Sequence, residues 1–286
     1  MGLIQWAHSP WGESVPIHIA FGLLWVSAAG AVLFLVAHAL YVGYWAKAEE
    51  HSAPLPPAAL AGVPAHVKRH SMGARLFHWI MSAAMLVLLF TAFLPKVGVQ
   101  FPWVTYHWIA GIVLTVSVLY HVIHATFVLD FWSIWPDKYD IEDATLRAKR
   151  AMGEPAPAPR KFGKYPLENK LYHLTILLTG LTVIGTGLFM MKRVETPFYT
   201  RNPYLFSDTT WGWTYVLHGL AGVGLIGLII VHIYFAIRPE KLFLTRSMIF
   251  GWISREKYLD HYDPQRWPLD KEAPEDGRAP SKEVPA

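Results

Sequence analysis

Hydrophobic and polar positions fall along this chain in long blocks rather than in short alternation. Five apolar blocks stand out, at 17–45, 76–94, 106–129, 171–191 and 215–237. At about 1.5 Å of rise per helical residue, blocks of this length span a hydrocarbon core of about 30 Å. The pattern predicts five transmembrane helices and an all-α integral membrane fold. A Pro/Ala-rich loop at 46–70, a short link at 95–104, a long basic loop at 131–170 and a loop at 192–212 separate the blocks. The Pro-rich centre of the long loop, 153–160, is expected to be irregular. An amphipathic stretch at 242–262 follows, then a tail from Pro268 rich in Pro, Glu, Lys and Asp, expected to be disordered. The polar start, 1–16, carries Trp6 and Trp11, which suit a membrane interface. Three segments result: 1–70, an N-terminal transmembrane helix with its Pro-rich loop; 71–241, a four-helix bundle; and 242–286, the amphipathic segment and tail.

Charge sets the topology. Five spans put the termini on opposite sides. Lys and Arg gather in 46–75, in 131–170 and in the tail; the start has none before Lys47, and 95–104 has only Lys96. The positive-inside bias predicts an outer (periplasmic) N-terminus and a cytoplasmic C-terminus. With no basic head before Lys47, no signal peptide is expected. The net charge of +4 reads as cytoplasmic loops, not as a nucleic-acid surface. The 53% of hydrophobic residues against 16% charged exclude a soluble enzyme. The absence of Cys excludes iron–sulfur clusters, Cys-based zinc sites and covalent haem attachment.

The candidate chemistry lies in the 14 histidines. The run 217–238 carries no charge before Arg238 but holds His218 and His232. Fourteen residues of helix rise roughly 21 Å and turn about 1400°, so the two rings share a face to within about 40°. Ionisable groups inside a span are uncommon and mark function. In the predicted topology His107 and His218 share a level near the outer face. His78 and His232 share a level near the inner face. Neutral imidazole is an axial ligand for haem iron, so two non-covalent haems, one per level, are expected. The third and fifth spans echo each other: each has Gly four residues after its first His (Gly111, Gly222), where a flat macrocycle can approach the backbone, and a second His at fourteen. That echo makes His121 a rival to His78 as partner of His232, and spacing leaves both open. His18 and His124 read as interfacial, and His38 as packed or pore-facing. Gly224 and Gly227 read as helix-contact glycines.

The motifs Arg75-x-x-His78-Trp79, His107-x-x-x-Gly111, Pro136-Asp-Lys-x-Asp140, Gly163-Lys-Tyr165 and His218-x-x-Ala-Gly222 occur in order. They continue into His232-Ile-Tyr234, Ser247-Met-Ile-x-Gly251-x-x-Ser254-Arg255 and His261-x-x-Pro264-x-x-Trp267. Over about 70–268 the chain resembles the cytochrome b (gamma) subunit of respiratory formate dehydrogenase and its relatives in thiosulfate reductases and hydrogenases. The resemblance implies a four-helix bundle with two haem b groups, His78 with His232 and His107 with His218, and Arg75 among the cofactor-binding residues. It implies an iron–sulfur subunit and a catalytic molybdo- or tungsto-enzyme subunit as partners, in a bacterial inner membrane. It also implies menaquinone or ubiquinone at the inner haem, near Lys164, Glu168, Asn169, His173 and His232. In two respects the chain departs from that family. The first span is additional, and Pro166 replaces an Asn of the quinone-lining segment, with Glu168, Asn169 and His173 as substitutes. On this reading the chain is an electron-transfer subunit rather than the substrate-oxidising one. The alternatives are a quinol-oxidising subunit of a terminal reductase, a hydrogenase subunit, and a non-redox anchor or transporter.

Overall fold

The computed structural model describes residues 2–44, 60, 62–198 and 200–269. Most of the 46–70 loop and the tail beyond 269 lie outside the described residues. Strands β1 (Ile4–His8) and β2 (Ser14–Ile19) come first, then α1 (Gly22–Tyr44), β3 (His66–Lys68), α2 (Met72–Phe93) and α3 (Trp103–Phe127). Helices α4 (Lys138–Ala151), α5 (Leu167–Met190), α6 (Asp208–Ile237) and α7 (Leu242–Phe250) follow, then β4 (Trp252–Ser254) and α8 (Arg255–His261). Among the described residues, α1, α2, α3, α5 and α6 are long and apolar enough to cross a membrane. Their outward side chains are apolar and bare, Leu33, Val116 and Leu178 among them. That surface is stable in lipid and untenable in water.

The first apolar block departs from expectation at its start. Residues 14–19 pair with 4–8 as an antiparallel hairpin, with a register shift at Gln5/Trp6, and α1 begins only at Gly22. The hairpin caps the first turns of α6. Trp6 meets Trp213 edge-to-face at 6.1 Å, and a Cβ on Gly212 would collide with the Pro16 carbonyl. Glycine at 212 is therefore a close-approach requirement. Helix α1 lies along α6: Ser27 Oγ donates to the Val223 carbonyl at 2.8 Å, and a Cβ on Gly227 would stand 3.0 Å from Ser27 Oγ. Gly227 mediates helix contact; Gly224 has nothing within 4 Å. His38 is packed against α6, with Nδ1 3.0 Å from the Tyr234 hydroxyl and from Arg238 Nη1.

Helices α2 and α3 pack as one antiparallel pair, and α5 and α6 as another. The end of the bundle carrying β1–β2 is the hairpin end. The other end carries a folded platform: residues 154–160 are irregular, as expected, but a helix precedes them, and the 242–262 stretch is not a single element. Helix α4 forms inside the basic loop because Asp137 caps it in a reciprocal box with Asp140. The 242–262 stretch breaks into α7, β4 and α8 at Gly251, whose φ of +91° ends α7 in a left-handed cap. Strands β3 and β4 pair, and Val67, Ile253, Tyr258, Tyr262 and Trp267 form the platform core. Arg69 is buried over the rings of Tyr165, Tyr262 and Trp267 at 5.1–5.5 Å and donates to the Lys164 carbonyl. Asp140 takes Lys170 at 2.6 Å and Arg266 at 3.1 Å, and Asp143 takes Arg160 and Arg266. These buried carboxylates are matched by cations from the α4–α5 connection (Arg160), α5 (Lys170) and the C-terminal segment (Arg266), so they tie the loop, the bundle and that segment together.

Candidate functional site

Each half of the bundle offers imidazoles from separate helices at matching depth. Near the hairpin end, His107 on α3 and His218 on α6 face each other with ring centres 6.2 Å apart. Their Nδ1 atoms are both anchored. His107 Nδ1 lies 2.8 Å from Thr91 Oγ1, and His218 Nδ1 lies 2.9 Å from Thr186 Oγ1. Each threonine hydroxyl gives its own proton to a carbonyl one turn back, Val87 for Thr91 and Thr182 for Thr186. The hydroxyl oxygens must therefore accept from Nδ1–H. That assignment leaves both Nε2 lone pairs available as ligands. Thr91 and Thr186 were not singled out in the sequence, because a threonine in an apolar helix more often bonds only its own backbone.

Two metal–imidazole bonds of about 2 Å, with ring centres about 1.1 Å beyond each nitrogen, set the centres about 6.2 Å apart. The His107/His218 gap is of the size that would hold one haem iron between the two rings. The glycines agree: a Cβ on Gly111 would touch only Leu88, at 4.0 Å, and one on Gly222 would meet nothing within 4 Å. Space is therefore open on the ligand faces of α3 and α6, where a macrocycle would lie.

Near the platform end, His78 on α2 and His232 on α6 stand 6.3 Å apart, centre to centre. Tyr172 on α5 stacks on His232 at 5.3 Å with planes 17° apart, its hydroxyl donating to the Leu228 carbonyl. The two pairs are separated by fourteen residues of α6, roughly 21 Å of helix. His121 does not face His232. It faces His173 on α5 at 6.3 Å, so the rival pairing is replaced by a third pair. His173, expected at a quinone, is turned to His121. His124 stacks on Tyr120 at 5.4 Å and packs over Gly73.

Arg75 is not directed at either gap. Its guanidinium donates to the Ile249 carbonyl, and Trp79 Nε1 donates to the Met248 carbonyl at 3.1 Å. The Arg75/Trp79 motif thus locks α2 onto the last turn of α7, an anchoring role in place of the expected cofactor contact. Lys164, Glu168 and Asn169 lie where the platform meets the first turn of α5, Glu168 exposed and Asn169 partly buried. Among the described residues, no group of three or more His, Asp or Glu side chains converges to hold a bare metal ion.

Residues 69–251 match the family described as prokaryotic cytochrome b561. Over 211 residues the chain is 26% identical to the formate dehydrogenase cytochrome b556 subunit of Haemophilus influenzae, covering 70% of this chain and 81% of that protein.

Proposed function

The chain belongs to the prokaryotic cytochrome b561 family, and on that premise we propose that it is the membrane electron-transfer subunit of a respiratory dehydrogenase, carrying two haem b groups. It is a multi-pass bacterial membrane cytochrome. The observation that carries the proposal is the pair of opposed imidazole couples on one helix, His218 with His107 and His232 with His78, each at the spacing of a single iron. Held between two imidazoles, haem iron supplies a reversible one-electron carrier. The protein's part is to fix ring orientation through Thr91 and Thr186, to clear space at Gly111 and Gly222, and to keep both levels in an apolar medium.

The basic residues of the platform, Lys138, Arg147, Lys149 and Arg150 among them, support a cytoplasmic placement of that end and a periplasmic hairpin end. Electrons then enter at the His107/His218 level from an iron–sulfur subunit and leave at the His78/His232 level to menaquinone or ubiquinone. Trp11 and Tyr204 are 84% and 93% exposed at the hairpin end, bare aromatic surface open to such a partner or to the membrane interface. The relative's name supports formate dehydrogenase as the complex; a catalytic molybdo- or tungsto-enzyme subunit beyond the iron–sulfur one is what the motif resemblance implies. Lys164, Glu168 and Asn169 at the α5 mouth, with exposed His232, are the proposed quinone surroundings. On this reading exposed Glu168 relays a proton to reduced quinone, and Glu168→Gln with unimpaired quinone reduction excludes that relay.

The test is a reduced-minus-oxidised spectrum of the purified full chain with haem counted per polypeptide. His218→Ala should remove one b-type haem. A chain isolated without b-type bands refutes the proposal.

A further inference from the structure

The β3–β4 ribbon decides what lies beside the start of α2. Val67 and Ile253 are register partners, both buried in the platform core. Side chains alternate along a strand, so His66, Lys68 and Trp252 stand on the opposite face of the ribbon. His66 lies against Trp252, 3.8 Å between ring centres. That face is the floor of an open cleft of about 300 Å³. His70 and the first turn of α2 form one wall, and the end of α7 with Gly251 forms the other.

The lining is cationic. Lys68 and Arg75 both border the cleft, and no acidic side chain does among the described residues. Nor is either cation in an ion pair there: the platform carboxylates Asp140 and Asp143 are taken by Lys170, Arg160 and Arg266. Glu256, which lies toward His66, has its carboxylate engaged by its own amide and by Ser254. A guanidinium carries five N–H donors. Those of Arg75 meet the Ile249 carbonyl and the Met72 sulfur, which leaves donors to spare. His70 registers the positive field. Burial, then the neighbouring Arg69 and Lys164, push it down to about 3, so it borders the cleft as a neutral ring.

The surroundings select the anion. The span of α2 starts at Met72, so the cleft opens where headgroups give way to acyl chains, a depth that suits the exposed Trp252. Met72 also heads an apolar stripe, continued by Leu76 and Ile80 one turn apart, and all three are exposed. A free phosphate uses the cations and leaves the stripe bare, whereas a phospholipid uses both. Two cations with no acid beside them give a choline or ethanolamine amine nothing to pair with, which favours a headgroup of net negative charge.

We propose that this cleft binds an anionic phospholipid, with Lys68 and Arg75 on its phosphate and an acyl chain along Met72, Leu76 and Ile80. Arg supplies a planar fork for two phosphate oxygens and Lys a point charge. The lipid then ties the β3–β4 ribbon to α2 at the platform end. The site is separate from the imidazole gaps and does not depend on how they are filled.

The experiment is native mass spectrometry on the full chain, purified in mild detergent with its co-purifying subunits. Phosphatidylglycerol, phosphatidylcholine and inorganic phosphate are titrated in turn. One phosphatidylglycerol per chain should bind ahead of phosphatidylcholine. Lys68→Gln should weaken that binding about fivefold, the worth of one cation near a lipid surface, and Lys68→Arg should keep it. Lys149→Gln, on α4 and outside the cleft lining, should leave it unchanged. Haem content, counted in each variant, reports an intact bundle. Equal binding of the two lipids overturns the site, as does full binding in Lys68→Gln. The same loss in Lys149→Gln as in Lys68→Gln also overturns it, in favour of diffuse attraction to the basic surface. Displacement of phosphatidylglycerol by inorganic phosphate overturns the lipid assignment in favour of a free phosphate.

Discussion

Thr91 accepts the Nδ1–H of His107 at 2.8 Å, and Thr186 does the same for His218 at 2.9 Å, from opposite sides of one gap. The two contacts fix both rings with Nε2 free before any ligand is bound. Removing one support while keeping its volume should loosen the ring without deleting the ligand. Thr91→Val is expected to retain the outer haem but weaken its binding by about 10- to 100-fold, the usual cost of losing a partner behind a metal ligand. Haem retention during detergent dialysis reads this directly. Loss no faster than in the parent would show that Thr91 merely satisfies its own helix.

The platform should depend on its buried charges. Asp140 and Lys170 are each about 5% exposed in their side chains and sit 2.6 Å apart, with Arg266 also on Asp140. Asp140→Ala leaves the buried Lys170 with only the longer 3.5 Å contact to Asp137, while Arg266 keeps Asp143; removing one partner of a buried pair costs up to about 3–5 kcal/mol. A platform that resists limited proteolysis as well as the parent would contradict this. The cleavage sites should fall at the α4–α5 connection and in the C-terminal segment.

Alkaline pH should act on the same region through its tyrosines. Burial pushes the Tyr165 phenol up, against the pull of Arg69, and burial likewise pushes up Tyr262. An acid whose folded pKa is raised holds its proton longer folded than unfolded. Its contribution is therefore complete below the unfolded value of about 10 and is lost as pH rises beyond it. Stability should be flat through neutrality and fall above about pH 10, with tyrosinate absorbance appearing as the platform opens. Tyr262→Phe should reduce the steepness of that fall; an unchanged profile would exclude Tyr262 as a source.

How much of this was legible in the chain follows from what each signal constrains. Apolar block length fixed the spans, because lipid demands it of every residue in the block. It could not separate residues 17–19 from α1: Ile17 and Ile19 run into the apolar block, and only the pairing of β2 with Ile4–His8 sets them apart. Helix α4 was readable in Asp137 and Asp140, a capping box, but was hidden behind the Pro-rich stretch that follows. Histidine depth follows from spacing, so His107 and His218 could be set at one level. Azimuth between helices does not, and His121 was weighed against His78 when it lies opposite His173. Arg75 reads in the sequence as part of a local motif, but the carbonyl it holds is 174 residues away.

Gly222 offers the sharpest separation between a cofactor cradle and ordinary helix packing. A methyl group at 222 meets no atom of the described protein within 4 Å, whereas one at 227 would press on Ser27 Oγ at 3.0 Å. On packing alone, Gly222→Ala should be harmless, and replacing glycine inside a helix typically gains about 0.5–1 kcal/mol. Gly227→Ala should disturb α1 and leave the haems alone. A macrocycle lying on the His218 face reverses the first expectation. The added methyl then occupies space the ring needs, and Gly222→Ala should lower outer-haem occupancy while the ligand-free chain stays as stable as the parent. Haem content and thermal unfolding measured on both variants decide the matter. Full haem loading in Gly222→Ala would mean that the open space beside His218 is not where the ring lies.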